Sequence, residues 1–256
     1  SHGNPTRANH LGDVAVSGDE RDERSDWVVD TLNWMHRPSR VAVHDGSGAL
    51  LREAWISYDG MGWNSLGARG LATRIESRLA GPLGTAGNPA MTHAYDAYGN
   101  RTSATDPRGC TTSTTYDSSK THPATISNCL GHVSNLQYDA RWGLVTSATD
   151  PNAQTTTSTY DVFGRLIKLT APLDTGSTYG TVSYSYLDLG NPSAQRVQTS
   201  RTEQHGSANV LWSDRYLDGL GRTYLTRREG PGGQVILSDV TFDNRGLVPA
   251  VSAAHF

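Results

Sequence analysis

The sequence has few of the residues that build a deep hydrophobic core. Hydrophobic residues make up 36% of its 256 positions, and it contains 3 phenylalanines against 11 tyrosines and 6 tryptophans. Packed globular domains usually contain more large aliphatic side chains. Glycine is abundant, at 27 residues. A chain rich in Tyr, Thr and Gly favours sheets with many turns and a shallow core.

Charge and hydropathy argue against two classes of partner. The formal net charge is −3, so there is no general basic surface that would attract nucleic acid. No apolar run approaches the roughly 20 residues that a membrane-spanning helix needs. The chain begins with Ser rather than Met, and we expect it to be a piece of a longer protein.

Short motifs of known catalytic or cofactor sites do not occur in the sequence, which has no nucleophile elbow, zinc-protease helix, phosphate loop or dinucleotide fingerprint. Cys110, His122, Cys129 and His132 have zinc-ligand chemistry, but they lack the closely paired Cys-x-x-Cys spacing of structural zinc sites. The sequence therefore predicts no enzyme, no metal site and no cofactor. A sugar-binding surface made of Tyr and Trp is an alternative, although such rings more often pack against neighbouring strands.

The strongest pattern is a short motif that repeats at nearly constant spacing in residues 95–170. Tyr-Asp pairs begin at Tyr95, Tyr116, Tyr138 and Tyr160, at steps of 21, 22 and 22 residues. A second motif, Asp-Pro, occurs twice between these pairs. A fixed period of this size is typical of arrays in which each repeat is one supersecondary unit.

Each residue of the motif suits a particular place in a hairpin. Tyr favours a strand, and the following Asp can accept hydrogen bonds from backbone N–H groups further along the turn. Gly supplies a positive φ, and Pro presets φ at the second position of Asp-Pro-x-Gly. One period therefore predicts two short strands and two turns. The residues assigned to this motif are Tyr58, Asp59, Tyr95, Asp96, Gly99, Arg101, Asp106, Pro107, Gly109, Tyr116, Asp117, Tyr138, Asp139, Gly143, Asp150, Pro151, Tyr160, Asp161, Gly164, Arg165, Asp218, Gly221 and Arg222.

The pattern resembles a known family. Tyr-Asp-x-x-Gly-Arg followed by Asp-Pro-x-Gly is similar to the YD repeat of the Rhs family, which includes rearrangement-hotspot proteins, toxin-complex proteins and teneurins. Flanking segments resemble the central shell region of the toxin-complex B component and its SpvB-like relatives. These segments are residues 37–41, 50–52, 58–60, 70–74, 218–222 and 242–246. The similarity covers residues 27–249.

The resemblance implies an all-β fold, an elongated and curved antiparallel sheet of YD-repeat hairpins that is part of a hollow shell. It implies a non-catalytic structural segment of a secreted bacterial toxin shell, which encapsulates a toxic C-terminal region for delivery. The partners would be the remaining segments of the parent shell and the enclosed toxin. Because a strip of sheet has two unpaired edges, edge-to-edge pairing of the isolated chain is also expected. The alternative is a secreted or cell-surface carbohydrate-binding or adhesion module.

Composition and motifs divide the chain into four segments. Residues 1–26 are polar, and we expect a disordered lead-in because they cannot bury enough apolar surface to offset the entropy lost on ordering. We expect an irregular β region in 27–94, regular repeats in 95–170 and degenerate repeats in 171–256. Apolar residues at helical spacing in 71–80 indicate a helix, whereas the family pattern favours a strand, and both remain open.

The only two cysteines, Cys110 and Cys129, lie on one predicted hairpin. If it is symmetric about residues 119 and 120, residues whose numbers sum to 239 face each other, as 110 and 129 do. Opposed residues have Cα atoms ~4.5 to 5.5 Å apart, which a disulfide accepts, and secreted proteins fold in an oxidising compartment. A one-residue bulge would instead turn one thiol to the opposite face. A bridge and two free thiols both remain open.

Overall fold

The structure is a computed structural model that describes residues 3–13, 15, 16 and 18–256. Within these residues it contains nineteen strands and two short 3-10 helices, Pro172–Asp174 and Pro231–Gly233. The strands are β1 (Arg7–His10), β2 (Arg21–Asp30), β3 (Met35–Asp45), β4 (Leu50–Tyr58), β5 (Ala72–Ser77), β6 (Ala90–Tyr95), β7 (Arg101–Thr105), β8 (Thr111–Tyr116), β9 (Pro123–Ser127), β10 (Val133–Asp139), β11 (Leu144–Thr149), β12 (Thr155–Tyr160), β13 (Leu166–Thr170), β14 (Val182–Leu187), β15 (Arg196–Thr202), β16 (Val210–Leu217), β17 (Thr223–Glu229), β18 (Val235–Thr241) and β19 (Ala250–Val251). The predicted all-β class is confirmed.

The chain forms two compact units, residues 1–133 and 134–256. In the first unit β1 to β9 form an antiparallel meander, in which each strand pairs with the next. In the second unit β10 to β19 pair in the same way. The substantial contacts within each unit join strands that are consecutive in the chain. Each repeat therefore contacts mainly its sequence neighbours, as in other linear arrays.

The apolar core is small and lies in the first unit. Its buried apolar side chains are Val28, Ala42, Val43, Trp55 and Tyr58. In the second unit the buried side chains that the structure describes are all polar: Thr170, Asp174, Thr202 and Asp214. Apolar side chains there, such as Leu166 and Leu169, are only half-buried, so the second unit depends more than the first on its backbone ladders and its turns.

The N-terminal segment differs from the prediction of a disordered lead-in over residues 1–26. Residues 7–10 and 21–30 form β1 and β2, so the prediction is wrong for these strands. The Arg7 guanidinium lies 2.8 Å from the Asp22 carboxylate across this pair of strands. Backbone pairing with the rest of the sheet can order a segment that has little apolar surface. Residues 1, 2, 14 and 17 of the predicted lead-in lie outside the described residues.

Long-range strand pairing settles whether residues 71–80 form a helix or a strand. Residues 72–77 form strand β5, which hydrogen-bonds to both β4 and β6, so the open choice in 71–80 is decided in favour of a strand.

The boundary between the compact units falls after residue 133, inside the predicted 95–170 segment. Segments defined by motif regularity therefore do not coincide with the compact units.

Candidate functional site

The repeat turns share one hydrogen-bond arrangement, seen in the turn that begins at Asp161. The Asp161 N–H donates to the Arg165 carbonyl at 2.9 Å, and the Gly164 N–H donates to the Asp161 carbonyl at 3.1 Å. Asp161 Oδ1 accepts the N–H groups of Phe163 and Arg165, each at 2.9 Å. The carboxylate thus satisfies backbone donors that the turn itself leaves unpaired.

Seven further turns have the same donors and acceptors. They begin at Asp45, Asp96, Asp106, Asn128, Asp150, Asp218 and Asp243. Asn128 was missed by the search for Asp-Pro, although its amide oxygen accepts the same two N–H groups, at 3.0 and 3.1 Å. The signal was present in the sequence, because Asn128 lies 22 residues from both Asp106 and Asp150.

Two predicted motif turns deviate by one residue. The Asp117 turn is longer, since the Asp117 N–H donates to the His122 carbonyl at 2.9 Å and Lys120 adopts the positive φ, at 59°. The Asp139 turn is closed one position later, where the Gly143 N–H donates to the Asp139 carbonyl at 2.8 Å. Both insertions stay within the turn, so the flanking strands still pair.

Asp59 acts differently from the other motif aspartates. Its own backbone has a positive φ, at 52°. Its carboxylate accepts the N–H groups of Gly70 at 2.6 Å and of Leu71 at 2.9 Å. Asp59 therefore ties together both ends of a loop, rather than closing a four-residue turn.

Four motif tyrosines bind their own strand to the strand before it. Tyr160 in β12, for example, donates its hydroxyl to the Val145 carbonyl of β11 at 2.9 Å. Three other motif tyrosines make the same bond: Tyr58 to Pro38 at 2.7 Å, Tyr95 to Ala72 at 2.8 Å and Tyr116 to Arg101 at 3.2 Å. Tyr186, which precedes Asp188 by two residues and was not assigned to the motif, also makes it, to Leu166 at 3.1 Å. The Tyr hydroxyl therefore adds a side-chain hydrogen bond between neighbouring strands.

The residue after the motif glycine completes the turn. Arg165 Nε donates to Asp161 Oδ2 at 2.6 Å, and Arg222 Nε donates to Asp218 Oδ2 at 2.8 Å. In the first repeat this position belongs to Asn100, which donates to Asp96 Oδ2 at 3.1 Å. Arg101 is one residue later, in β7, where it pairs in register with Tyr95.

Neighbouring turns of the first unit are also joined side chain to backbone. The Arg69 guanidinium donates to the Asp96 carbonyl of the next turn on the same side of the meander, at 2.8 Å. Asn100 of that turn donates to the Lys120 carbonyl of the following one, also at 2.8 Å. These bonds link three successive turns into a row.

In the second unit, large side chains cover the glycines of the next turn. The Trp142 ring lies over Gly164 so closely that an added Cβ would be 3.1 Å from the indole. Arg222 lies against Gly246 in the same way, at 3.0 Å from the position of an added Cβ, and stacks on the Phe242 ring at 4.2 Å. At Gly164 and Gly246 glycine is thus favoured both for its positive φ and for its missing side chain.

Hydrogen bonding holds the pKa of three turn carboxylates, those of Asp106, Asp139 and Asp161, below the ordinary value. The Arg141 side chain, followed by its backbone N–H, lowers the pKa of Asp139 to about 2. The backbone N–H of Cys110 is the main cause of the lowered pKa of Asp106. At Asp161 desolvation raises the pKa, but hydrogen bonds from Arg165 outweigh it, so the pKa is lowered there too. Carboxylates held in the ionised form in this way are poorly suited to general acid–base catalysis near neutral pH.

Cys110 and Cys129 form a disulfide with Cα atoms 5.2 Å apart. The register of the two strands differs from the symmetric one that the sequence predicts. Ser113 faces Ser127, and the pairing shifts between Thr115 and Tyr116. The two cysteines lie in turns beyond the strand ends, in the Asp106 and Asn128 turns, rather than directly opposite each other in the ladder. The bridge therefore links two consecutive turns on the same side of the first unit.

Among the residues that the structure describes, no group of three or more His, Cys, Asp or Glu side chains is placed to hold a metal ion. In this same part of the chain no helix has the length and apolar character that crossing a membrane requires.

Comparison with known proteins places these turns in a family. The RHS Repeat model matches residues 138–175, which include the turns at Asp139, Asp150 and Asp161. The comparison with curated proteins found no match. Among solved structures, TcdB2-TccC3 matches with a TM-score of 0.65 at 12% identity, over 90% of this chain and 17% of that chain.

Two related structures give weaker superpositions. TcdB2-TccC3-Cdc42 matches with a TM-score of 0.38 at 14% identity, over 91% of this chain and 14% of that chain. TcdB2-TccC3 without the hypervariable C-terminal region matches with a TM-score of 0.39 at 12% identity, over 89% of this chain and 15% of that chain. The chain thus spans less than a fifth of the length of the proteins that it matches. Residues 138–175 thus match the RHS Repeat family, and the chain has the fold of the corresponding part of TcdB2-TccC3.

Proposed function

We propose that this chain is a wall segment of a hollow toxin shell, which encloses a toxic region for delivery, and that the segment itself is not catalytic. The observation that supports the proposal most is the composition of the second unit. In the part that the structure describes, its ten strands fully bury no apolar side chain, and side chains such as Leu166 and Leu169 are half-buried. An antiparallel sheet tolerates contact with water, and a sheet without a fully buried apolar face suits a partition between an enclosed and an outer solution.

The turns support a structural role for the repeated carboxylates of the motif. Each turn carboxylate is already the acceptor for two or more backbone N–H groups, as Asp161 is. Its hydrogen bonds serve the turn and leave little capacity for a substrate. An acid that catalyses proton transfer near neutral pH would need a raised pKa, whereas the pKa of Asp139 is lowered.

The outer strands indicate where partners would attach. In the described part of each unit, β1 has a register only with β2, and β19 only with β18. An outer strand with unpaired backbone groups is a template for another strand. In the proposal, adjoining segments of the parent protein pair there, and a second copy of the chain takes their place when the segment is isolated.

A secreted location also follows from the proposal. The disulfide between Cys110 and Cys129 is a bond that persists in oxidising compartments and is rare in the reducing cytosol. This bond is consistent with delivery outside the producing cell.

The test uses the full-length protein to which this chain belongs. Electron microscopy should show a hollow particle whose wall contains this sheet, and a protease should spare the enclosed region until the particle is opened by denaturant. A Gly164→Val variant, which disrupts a turn, should expose the enclosed region more than the conservative surface variant Val162→Thr does. A solid particle, or an enclosed region cleaved equally in all three proteins, would contradict the proposal.

A further inference from the structure

A groove of ≈ 500 Å³ in the first unit brings together two tryptophans that are far apart in sequence. Trp27 belongs to β2, and Trp63 lies in the loop between β4 and β5. The remainder is lined by Val29 and by side chains with hydroxyl, amide or carboxylate groups: Asn4, Thr6, Ser25, Asp26 and Asn64. The groove has the size of a small-molecule site, with aromatic surface and a few polar groups.

Both indole rings are held in place by the chain itself. Trp27 Nε1 donates to the Pro5 carbonyl at 2.9 Å, and Trp63 Nε1 donates to the Ser39 carbonyl at 2.8 Å. Trp63 nevertheless keeps 41% of its surface exposed. Trp63 therefore keeps exposed ring surface available to a ligand, while the N–H groups of both indoles are already used.

The polar groups of the groove have free hydrogen-bonding capacity. Asp26 Oδ2 accepts from Arg40 at 3.1 Å, which leaves Oδ1, and the Asp26 side chain is 56% exposed. Within the described residues, no side-chain hydrogen bond engages the amide of Asn64 or the hydroxyls of Thr6 and Ser25. Asn64 has a positive φ of 58°, a conformation that is uncommon outside glycine and that occurs more often at functional sites.

We propose that this groove binds a neutral saccharide. One sugar ring stacks its C–H face on an indole, whose π face carries partial negative charge. The sugar hydroxyls, which both donate and accept, bond to Asp26 Oδ1, to the Asn64 amide and to the hydroxyls of Thr6 and Ser25. This binding function is separate from the wall function and does not depend on it.

Two other ligand classes fit the groove less well. No Lys or Arg lines it, so a phosphate would find no cationic partner among the lining residues, and a nucleotide is disfavoured. Proline-rich peptides dock in aromatic-lined grooves, where a free Trp N–H would bond to a peptide carbonyl. Here both indole N–H groups are occupied, so a peptide would lack this anchor.

The test is a titration of this chain with glucose, galactose, mannose, N-acetylglucosamine and their short oligomers, followed by tryptophan fluorescence and heteronuclear NMR. At least one of these sugars should bind saturably, with shifts at the Trp27 and Trp63 side-chain signals. Trp63→Ala should weaken binding by about tenfold or more, an effect of about 1.4 kcal/mol. The matched control is Trp34→Ala, because Trp34 is exposed and outside the groove.

A second variant tests the amide without disturbing the backbone. Asn64→Gly keeps the left-handed conformation, which Gly adopts readily, and should weaken binding by about fivefold, a smaller loss than that of Trp63→Ala. Circular dichroism of each variant verifies that the sheet is retained. The proposal is overturned if no neutral sugar binds, if Trp63→Ala and Trp34→Ala bind equally, or if a proline-rich peptide or AMP binds at the groove in place of sugars.

Discussion

Ala153 and Gly164 occupy the same position in consecutive turns, and both have a left-handed backbone, with φ of 60° and 78°. Glycine adopts this conformation freely, whereas an L-residue such as Ala pays roughly 1–2 kcal/mol. One turn of the array is therefore strained where its neighbour is not.

Replacing Ala153 by Gly should stabilise the second unit. Relief of the left-handed strain outweighs the added entropy of Gly in the unfolded chain, for a net gain of about 0.5–1 kcal/mol. Urea unfolding monitored by circular dichroism measures it. The neighbouring variant Asn152→Gly, where φ is not positive, should lower stability, and a gain in both variants would contradict this explanation.

Replacing Gly164 by Ala should destabilise the protein more than the same change at Gly221. Both glycines have φ of 78°, so the backbone strain is matched at about 1–2 kcal/mol. A Cβ at Gly164 would press on the Trp142 ring, whereas Gly221 faces open space. In a double-mutant cycle, Trp142→Ala should recover part of the extra loss at Gly164. Equal losses at the two glycines would show that the contact between Trp142 and Gly164 does not contribute to the free energy of unfolding.

Stability should decrease in acid because the turn carboxylate of Asp139 has a lowered pKa. The pKa of Asp139 is about 2 in the folded protein, against about 3.9 when unfolded. The unfolded state therefore binds protons first, so the stabilisation from Asp139 is complete above pH ~4 and is lost between about pH 4 and 2. Urea titrations at pH 6, 4, 3 and 2 should show a flatter dependence for Asp139→Asn. Glu203→Gln, outside the repeat turns, should follow the parent chain, and an unchanged slope for Asp139→Asn would refute this assignment.

Reducing the disulfide should destabilise the first unit. Cys110 and Cys129 are 19 residues apart, and a closed loop of this size contributes roughly 3 kcal/mol in the chain-entropy model. Urea unfolding with and without dithiothreitol measures the difference. A Cys110→Ser/Cys129→Ser protein should match the reduced parent and respond no further to the reductant, whereas a parent that does not respond would rule out a stabilising bridge.

The isolated chain should associate as its concentration rises, because β1 presents an unpaired edge. Light scattering across a concentration series detects this association. Ala8→Lys places a charge on that edge, which should weaken edge pairing, whereas Ala86→Lys in a loop should leave it unchanged. A strict monomer at all concentrations would contradict the expected edge pairing.

Local chemistry in the sequence determined most of the repeat architecture. Asp, Gly and Tyr at fixed offsets encode a turn and the strand that precedes it, because the hydrogen bonds of Asp161 reach only residues up to four positions away. The all-β class and the positions of the regular turns could therefore be predicted. Asn128 escaped the prediction only because an amide replaces the carboxylate in the same geometry.

Tertiary structure decided what depends on distant pairing. The strands in residues 7–10 and 21–30 are ordered by partners along the sheet, not by their own polar sequence. The cysteines meet through two turns, after a register shift that hairpin symmetry could not reveal. Trp27 and Trp63 share a groove only because the meander brings β2 beside β3, where the Ser39 carbonyl holds the Trp63 ring. Turn geometry is a short-range property of the chain, whereas register and grooves arise from contacts between distant segments.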